Sequence, residues 1–400
     1  MRQVIRDLQE SKIREVANAG LGRSDVLAFW FGESDETTPA FVRQAAIDAL
    51  NSGDTFYTHN LGLPELREAI AGYMTASHGA SHGEVKTERI AVTTGGVSAL
   101  MLAMQALINA GDEVVVLTPI WPNLTAQPVI LGAELRCVSL MPKDGAWVLD
   151  MAALLRAVTP QTKLLILNSP NNPTGWTLTR DEQAQILAHC RRTGTWVLAD
   201  EVYERLYFKA PAAGVAGAVV CAPSFLDVAQ ADDRLVVAHS FSKSFLMTGW
   251  RLGWLLLPEA MTAQVGKLIE FNTSCASGFV QRAALVALQR QDEITPALVA
   301  HLQTCRDTLV PLLQALPGVQ LQTPPGGMYA FFRLAGHDDS LATAKRLVVE
   351  AGLGLAPGEA FGPEAQGWLR WCFASQDPQR LVQGVLRLRD WLAGPGSAPS

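Results

Sequence analysis

Five stretches in the middle of the chain have apolar centres without interruption: Glu113–Leu117 (EVVVL), Lys163–Asn168 (KLLILN), Thr195–Ala199 (TWVLA), Arg234–Ala238 (RLVVA) and Leu252–Leu257 (LGWLLL). Strands that lack polar–apolar alternation are buried on both faces, the mark of a mostly parallel sheet covered by helices. Helical patterns at Asp150–Ala157 and Thr179–Thr193 fall between them. Upstream, the pattern predicts a helix around Asp7–Ala19, a strand over Val26–Phe31 and a helix over Ala40–Leu50, the last started by Thr37, Thr38 and Pro39. Amphipathic helices follow at Leu63–Thr75 and Ser98–Ile108, with a short strand, Arg89–Thr93, between them. After about residue 280 the texture changes. Helices Val280–Gln291 and Pro296–Ala315 lead into an alternating strand, Met328–Leu334, then helix Ser340–Ala351, strand Trp368–Phe373 and helix Pro378–Leu392.

The expected fold is therefore α/β: a large domain with a mostly parallel sheet sandwiched by helices, and a smaller α+β domain. The boundaries read as residues 1–45 for an N-terminal arm and part of the small domain, 46–280 for the large domain and 281–393 for the rest of the small domain. A tail at 394–400 reads as disordered, and 210–220 as an alanine- and valine-rich loop. A chain of 400 residues is long enough for two domains. Its net charge of −6 argues against a nucleic-acid partner. No polybasic run, apolar leader or long apolar span points to a membrane or to export. Six cysteines without a C-x-x-C pair read as free thiols, so the expected location is cytoplasmic.

In open α/β sheets ligands sit at the carboxyl ends of the strands. Strand Arg89–Thr93 runs into Gly95, Gly96 and Val97 before a helix, either a plain turn or a cradle of backbone N–H groups for an anion. Strand Lys163–Asn168 ends in SPNNPTG, where Asn172 is placed to bond a phenolic oxygen or a carboxylate. Strand Thr195–Ala199 ends in Asp200 and, three residues on, Tyr203. An acid at the end of a buried strand wants a positive partner, and a protonated pyridine nitrogen would serve. After Arg234–Ala238 come Ser240, Lys243 and Arg251. A lysine there is costly unless paired or neutralised, and an imine with an aldehyde cofactor neutralises it. Phosphate cradle, ring-oxygen donors, a carboxylate for a ring nitrogen and an imine-forming lysine together make the inventory that pyridoxal 5′-phosphate needs. By contrast, His78 and His82 read as surface histidines in a Gly/Ala/Ser-rich loop, and no metal site is expected. Gly352, Gly354, Gly358 and Gly362 read as turns of the small domain.

With these motifs the sequence resembles the class I/II, aspartate-aminotransferase-like enzymes of pyridoxal-phosphate fold type I. The resemblance covers roughly residues 25–390, through GESDETTP (Gly32–Pro39), FYTHNLGLPELREAI (Phe56–Ile70), TTGGVSAL (Thr93–Leu100), TPIW (Thr118–Trp121), NSPNNPTG (Asn168–Gly175), ADEVYE (Ala199–Glu204), SFSKSFLMTGWRLGW (Ser240–Trp254) and LRWCFA (Leu369–Ala374). It implies that Lys243 holds the cofactor and moves the proton, and that Asp200 pairs with the pyridinium nitrogen. Asn172 and Tyr203 would bond the ring's 3-oxygen, and Trp121 would stack on the ring. Ser240, Arg251 and the turn Gly95–Gly96–Val97 would hold the phosphate. Arg370 would fork the substrate α-carboxylate, with Asn172 and Gly32 beside it. Tyr57 would reach the phosphate of a neighbouring subunit, implying a homodimer with shared active sites. The implied reaction moves an amino group from an amino acid to a 2-oxo acid by a ping-pong mechanism. A carbon–sulfur β-lyase would use the same cofactor residues. A DNA-binding regulator on this fold would need a winged-helix segment ahead of it, for which the arm leaves no room. Where some aspartate-specific relatives carry a lysine after the glycine pair, this chain has Val97. No cation for a distal carboxylate is evident, and Phe29, Trp30 and Trp121 favour a neutral or aromatic donor.

Overall fold

The computed structural model describes residues 1–143, 146–209, 220–230 and 232–394. The tail and all but the last residue of the 210–220 loop thus lie outside the described residues, save Gly394. Seven strands form the large sheet: β1 (Ile90–Thr93), β2 (Glu113–Thr118), β3 (Glu134–Ser139), β4 (Thr162–Asn168), β5 (Trp196–Asp200), β6 (Leu235–Ser240) and β7 (Gly253–Leu256). Their spatial order is β1-β7-β6-β5-β4-β2-β3. Only β7 runs against its neighbours; β3, β2, β4, β5 and β6 pair in parallel. The carboxyl ends of β1, β2, β4, β5 and β6 consequently meet at one edge of the sheet, and β7 starts there.

The continuous apolar runs do what double burial requires. Val115, Leu117, Leu165, Leu167, Val197 and Val237 enter one core, whereas Val114, Val116, Leu164, Ile166, Leu198 and Val236 enter the other. Such alternation along a strand sends successive side chains to opposite faces, each fully buried side chain stabilising by about 1.5–3 kcal/mol. Helix α1 (Lys12–Ala19) is capped by Ser11, whose hydroxyl accepts from the Arg14 N–H. Helices α2 (Ala40–Asn51) and α3 (Pro64–His82) precede the sheet; α4 (Gly96–Leu107) follows β1. Helix α5 (Arg180–Thr193) begins with a reciprocal Thr179–Glu182 capping box and ends at Gly194 in the left-handed region. Helices α6 (Glu259–Thr273), α7 (Gly278–Gln289) and α8 (Gln291–Gln314) come after β7.

A second sheet of four strands, β8 (Val319–Leu321), β9 (Tyr329–Leu334), β10 (Ala356–Pro357) and β11 (Trp368–Cys372), is antiparallel in the order β8-β9-β11-β10. Helix α9 (Pro378–Ala393) closes the described chain. The expected strand at Val26–Phe31 is reduced to Leu27–Ala28, paired with Leu353–Gly354. The expected helix at 7–19 starts only at Lys12, because Ser11 takes the capping position. Pro296 does not open a separate helix but lies inside α8. The expected helix at 340–351 is α-helical to Arg346 and then widens into a π turn at Leu347–Ala351.

Candidate active site

The sheet's carboxyl edge opens into a cavity of about 630 Å³, lined by Gly96, Val97, Trp121, Asn172, Asp200, Tyr203, Ser240, Lys243, Arg251 and Arg370, with Gly32 on its far wall. Residues separated by more than 300 positions in sequence share this space because strands β1, β4, β5 and β6 all end there and β11 faces them. The anion side is built from backbone. Gly95, at φ +100°, is the residue before α4 and offers no side chain to cap it, so the first N–H groups of a twelve-residue helix stay free. A Cβ at Gly95 would run into the Arg251 guanidinium, and one at Gly253 would lie 2.9 Å from the Gly96 nitrogen. The close approach of β1, β7 and Arg251 thus requires glycine at both places. Arg251 itself holds φ +52°, a conformation uncommon for a side chain of its size. Its Nη1 donates to the Thr248 carbonyl at 2.7 Å. The Ser240 hydroxyl lies 2.8 Å from that of Ser242, which in turn receives Arg251 Nη1 at 3.4 Å.

Next to this cradle lies the acid. Burial pushes the Asp200 carboxyl up to about 7; the Val202 N–H and the charge of Lys243 counter it only in part. Burial likewise pushes the Lys243 ammonium down to about 8. Lys243 Nζ donates to the Gly32 carbonyl at 2.5 Å and lies 5.6 Å from the centre of the Tyr203 ring. Tyr203 and Tyr329 share a hydroxyl–hydroxyl hydrogen bond of 2.7 Å, and burial raises both phenols above their ordinary value. Arg370 is buried. Its Nη1 donates to Asn172 Oδ1 at 2.9 Å and its Nη2 to the Trp30 carbonyl at 2.5 Å, and its guanidinium lies over the rings of Tyr329 and Phe361. Arg370 Nε is buried with no acceptor. A buried cation with a spare donor beside a buried acid short of a cation is a site made for a charged ligand. Tyr57 stands apart from this cavity and is 88% exposed.

Those observations bear on pyridoxal 5′-phosphate. The donor set fits: a backbone-and-arginine cradle suits a dianionic phosphate, Asp200 suits a protonated ring nitrogen, and an amine with a depressed affinity for protons suits an aldehyde.

Among the polar lining residues that the sequence pattern does not single out are Tyr329 and Asn168. Tyr329 sits on β9 and reads there as an ordinary strand aromatic. Asn168 ends β4; its Nδ2 donates to the Asp200 carbonyl at 3.0 Å and its Oδ1 accepts from the Asn172 N–H at 2.7 Å, tying two motifs together. The larger omission lies behind the cavity. His78 is not a surface residue but 1% exposed. Its Nε2 lies 3.1 Å from Glu204 Oε2 and its Nδ1 lies 3.0 Å from Asp227 Oδ1. The reason is local: α3 continues to His82, which turns position 78 onto the buried face of Leu66, Ile70 and Met74, at intervals of one helical turn. Tyr73 donates to Glu204 at 2.8 Å, and His239 Nδ1 lies 3.9 Å from it. Burial works against the Glu204 charge, but His239 and the bonded His78, with Tyr73, hold the carboxyl down to about 2. The two carboxylates outweigh the burial of His78 and raise its imidazole to about 10. Donor atoms of Glu201, Glu204 and His239 lie within 4.8 Å of one another, a spacing open to a metal ion. The carboxylate oxygens are taken, however: Ser224 and the Phe225 N–H bond Glu201, while Tyr73 and His78 bond Glu204.

Comparison with known proteins adds a family context. Residues 24–388 match the family described as aminotransferase class I and II. The chain is 29% identical over 390 residues to an aspartate aminotransferase of Pyrococcus horikoshii, covering 97% of this chain and 96% of that one. It is 32% identical over 385 residues to a probable aspartate/prephenate aminotransferase of Aquifex aeolicus, covering 95% and 93%. The crystal structure of an aspartate aminotransferase from Thermotoga maritima superposes with a TM-score of 0.88 at 30% identity, over 98% of this chain and 100% of that one.

Proposed function

The chain belongs to the aminotransferase class I and II family, and on that premise we propose that it is a pyridoxal-5′-phosphate-dependent aminotransferase, moving an amino group from an amino acid to a 2-oxo acid in two half-reactions. The observation that carries this reading is the convergence of Asp200, Lys243, Arg251 and Arg370 on one cavity. When bound, the cofactor supplies an aldehyde that condenses with amines and a ring that accepts the electron pair left by proton removal.

The chain's own residues do the rest. The first turn of α4, Ser240 and Arg251 would hold the phosphate, and Trp121 would help hold the ring. Asp200 would keep the ring nitrogen protonated, and Asn172 and Tyr203 would hold the 3-oxygen. Arg370 takes the α-carboxylate as a fork, a task for which a lysine has neither the plane nor the number of donors. Lys243 would hold the aldehyde through its amine, and the same amine would serve as the base that takes the α-proton and returns it. Its amine, already tuned to about 8 by burial, can exist in both protonation states near neutrality. The three-part domain division at residues 45/46 and 280/281, a homodimer in which Tyr57 serves the neighbouring subunit's phosphate, and a cytoplasmic location complete the proposal. The 88% exposure of Tyr57 supports its part in it.

The test is a Lys243→Ala variant next to the wild-type holoenzyme. The variant is expected to lose the cofactor's absorbance on dialysis together with nearly all turnover of an amino acid and 2-oxo acid pair. Retained colour and activity would overturn the role of Lys243. Release of pyruvate and ammonia by the wild type from a cysteine conjugate, with no oxo-acid acceptor present, would replace transfer by β-elimination.

A further inference from the structure

Two phenols reach the cavity from the two sheets. Tyr203 follows β5 of the large sheet, whereas Tyr329 opens β9 of the small one, and both line the cavity. Both are buried. Their rings meet edge to face with centres 5.7 Å apart, and their hydroxyl oxygens lie 2.7 Å apart. The fit is close, since a Cβ at Gly32 on the facing wall would run into the Tyr329 hydroxyl.

One proton lies between the two oxygens, and the surroundings decide which phenol provides it. Among the described residues the Tyr329 hydroxyl has a single hydrogen-bond partner, the Tyr203 oxygen. A buried O–H without an acceptor is costly. Tyr203 has another acceptor open to it, the cofactor's 3-oxygen, but a hydroxyl has only one proton to give. Donation from Tyr329 to Tyr203 therefore satisfies both phenols, whereas the reverse direction spends the proton that the cofactor needs.

The electrostatics agree. The Arg370 guanidinium lies over the Tyr329 ring, 4.5 Å from its centre. Burial raises the Tyr329 phenol, and the Arg370 charge opposes it more than any other group does. A cation on a ring face draws electron density from the phenol and makes its O–H the stronger donor. At Tyr203 burial and the neighbouring Tyr329 both act upward, which leaves its oxygen the better acceptor. The other titratable groups facing the pair are Asp200 at the end of β5, Cys372 at the end of β11 and Lys243 beyond β6.

We propose that Tyr329 is a positioning residue for the cofactor: its hydroxyl donates to the Tyr203 oxygen and so turns the one proton of Tyr203 toward the 3-oxygen. The inference rests on the aminotransferase reading and adds to it a residue that lies outside the motifs of the resemblance. It has a chemical consequence. A hydrogen bond to the 3-oxygen stabilises that oxygen's negative charge and lowers the proton affinity of the chromophore that Lys243 and the cofactor form together. Hydrogen bonds in series polarise one another, so Tyr329 acts on this chromophore through Tyr203.

The experiment is a pH titration of the cofactor's absorbance in the wild-type holoenzyme, Tyr329→Phe, Tyr203→Phe and the double variant. Phenylalanine keeps the ring and its packing and removes only the oxygen. In Tyr203→Phe the midpoint is expected to rise by about one to two pH units, the weight of a hydrogen bond to a charged group. In Tyr329→Phe it is expected to rise by about half a unit. The double variant should match Tyr203→Phe to within about 0.3 unit, because the route from Tyr329 to the cofactor is then already cut. A fall of the midpoint in Tyr329→Phe would mean that Tyr203 donates to Tyr329, and an unchanged midpoint that the pair does not act on the cofactor; either overturns the proposal. So does the same rise on removing the Tyr329 hydroxyl when Tyr203 is already phenylalanine. A wild type that takes up the cofactor yet transfers no amino group would refute the aminotransferase reading, while the titration would still decide the role of Tyr329.

Discussion

Replacing His78 by glutamine keeps a hydrogen-bonding side chain of similar length but removes the one buried cation between Glu204 and Asp227. Both ring nitrogens of His78 are engaged by carboxylates at 3.0 and 3.1 Å, so the imidazole is held doubly protonated. Taking one partner out of a buried ionic cluster costs about 3–5 kcal/mol, because the remaining charges stay where they are. The proton affinity gives an independent bound. Raising the imidazole from 6.5 to about 10, at 1.36 kcal/mol for each tenfold, corresponds to at most about 5 kcal/mol. The sign follows from linkage: a histidine whose folded value lies above its unfolded one contributes fully below pH 6.5, progressively less as pH rises, and nothing above about 10. Glu204, held down to about 2 against an ordinary 4.5, contributes fully above 4.5 and loses its share as pH falls. The difference in stability between wild type and His78→Gln should therefore be greatest between about pH 4.5 and 6.5. Urea unfolding of the two holoenzymes, followed by tryptophan fluorescence at several pH values, measures it. A difference that does not shrink between pH 6.5 and 10, or one below about 1 kcal/mol at pH 6, would show that His78 is buried as a neutral ring and that the charge account is wrong.

Two further expectations concern the cavity. Only a neutral amine condenses with an aldehyde, so cofactor uptake by the cofactor-free protein should accelerate about tenfold per pH unit up to about pH 8 and then level off, as Lys243 deprotonates; stopped-flow absorbance reads it, and a flat profile from pH 6.5 to 9 would contradict the buried amine. Arg370→Lys should raise the substrate KM by about tenfold or more while changing the cofactor's dissociation constant far less, since a point charge replaces a fork; equal losses in both would place Arg370 with the cofactor instead of the substrate.

How much of this was legible in the sequence depended on whether the signal was local. Strands β2, β4, β5 and β6 announced themselves through uninterrupted apolar runs, and the residues that end β5 and β6, Asp200 and Ser240, were candidates from the start, whereas Thr118 and Asn168, which end β2 and β4, were not. Strand β3 gave no such signal, because it is the sheet's edge: Glu134, Arg136 and Cys137 lie exposed along it. The helix at Asn123–Leu131 was hidden by the Pro128 inside it. Helix α3 was cut short at Thr75 because Ala, Ser and Gly dominate its last two turns, although the spacing of Leu66, Ile70, Met74 and His78 carries the face through. The contacts that complete the site are long-range. Tyr203 meets Tyr329 across 126 positions and Arg370 meets Asn172 across 198, and no local pattern encodes either.

The buried ionic cluster and the cavity are two sides of the same strand ends. Successive residues of an extended chain point to opposite sides, and the ends of β5 and β6 use this twice. At β5, Asp200 faces the cavity, while Glu201 turns back to Ser224 and the Phe225 N–H. At β6, Ser240 faces the cavity, while His239 turns back toward Glu204 and stacks on Trp254 at 4.9 Å. Each cavity residue is thus one peptide away from a side chain fixed in a packed, hydrogen-bonded interior. A carboxylate that must meet a ring nitrogen gains nothing from strength of charge if its backbone can drift, since an ångström of misplacement weakens the contact sharply. Among the described residues the partners of the Glu204 carboxylate are Tyr73, His78 and His239, so the cluster ties the turn after β5 to helix α3 and to β6, the strand that delivers Ser240. The adjacent acid pair Asp200–Glu201, which reads in sequence as one acidic motif, divides in the structure, one carboxyl facing the cavity and one bonded into the frame behind it.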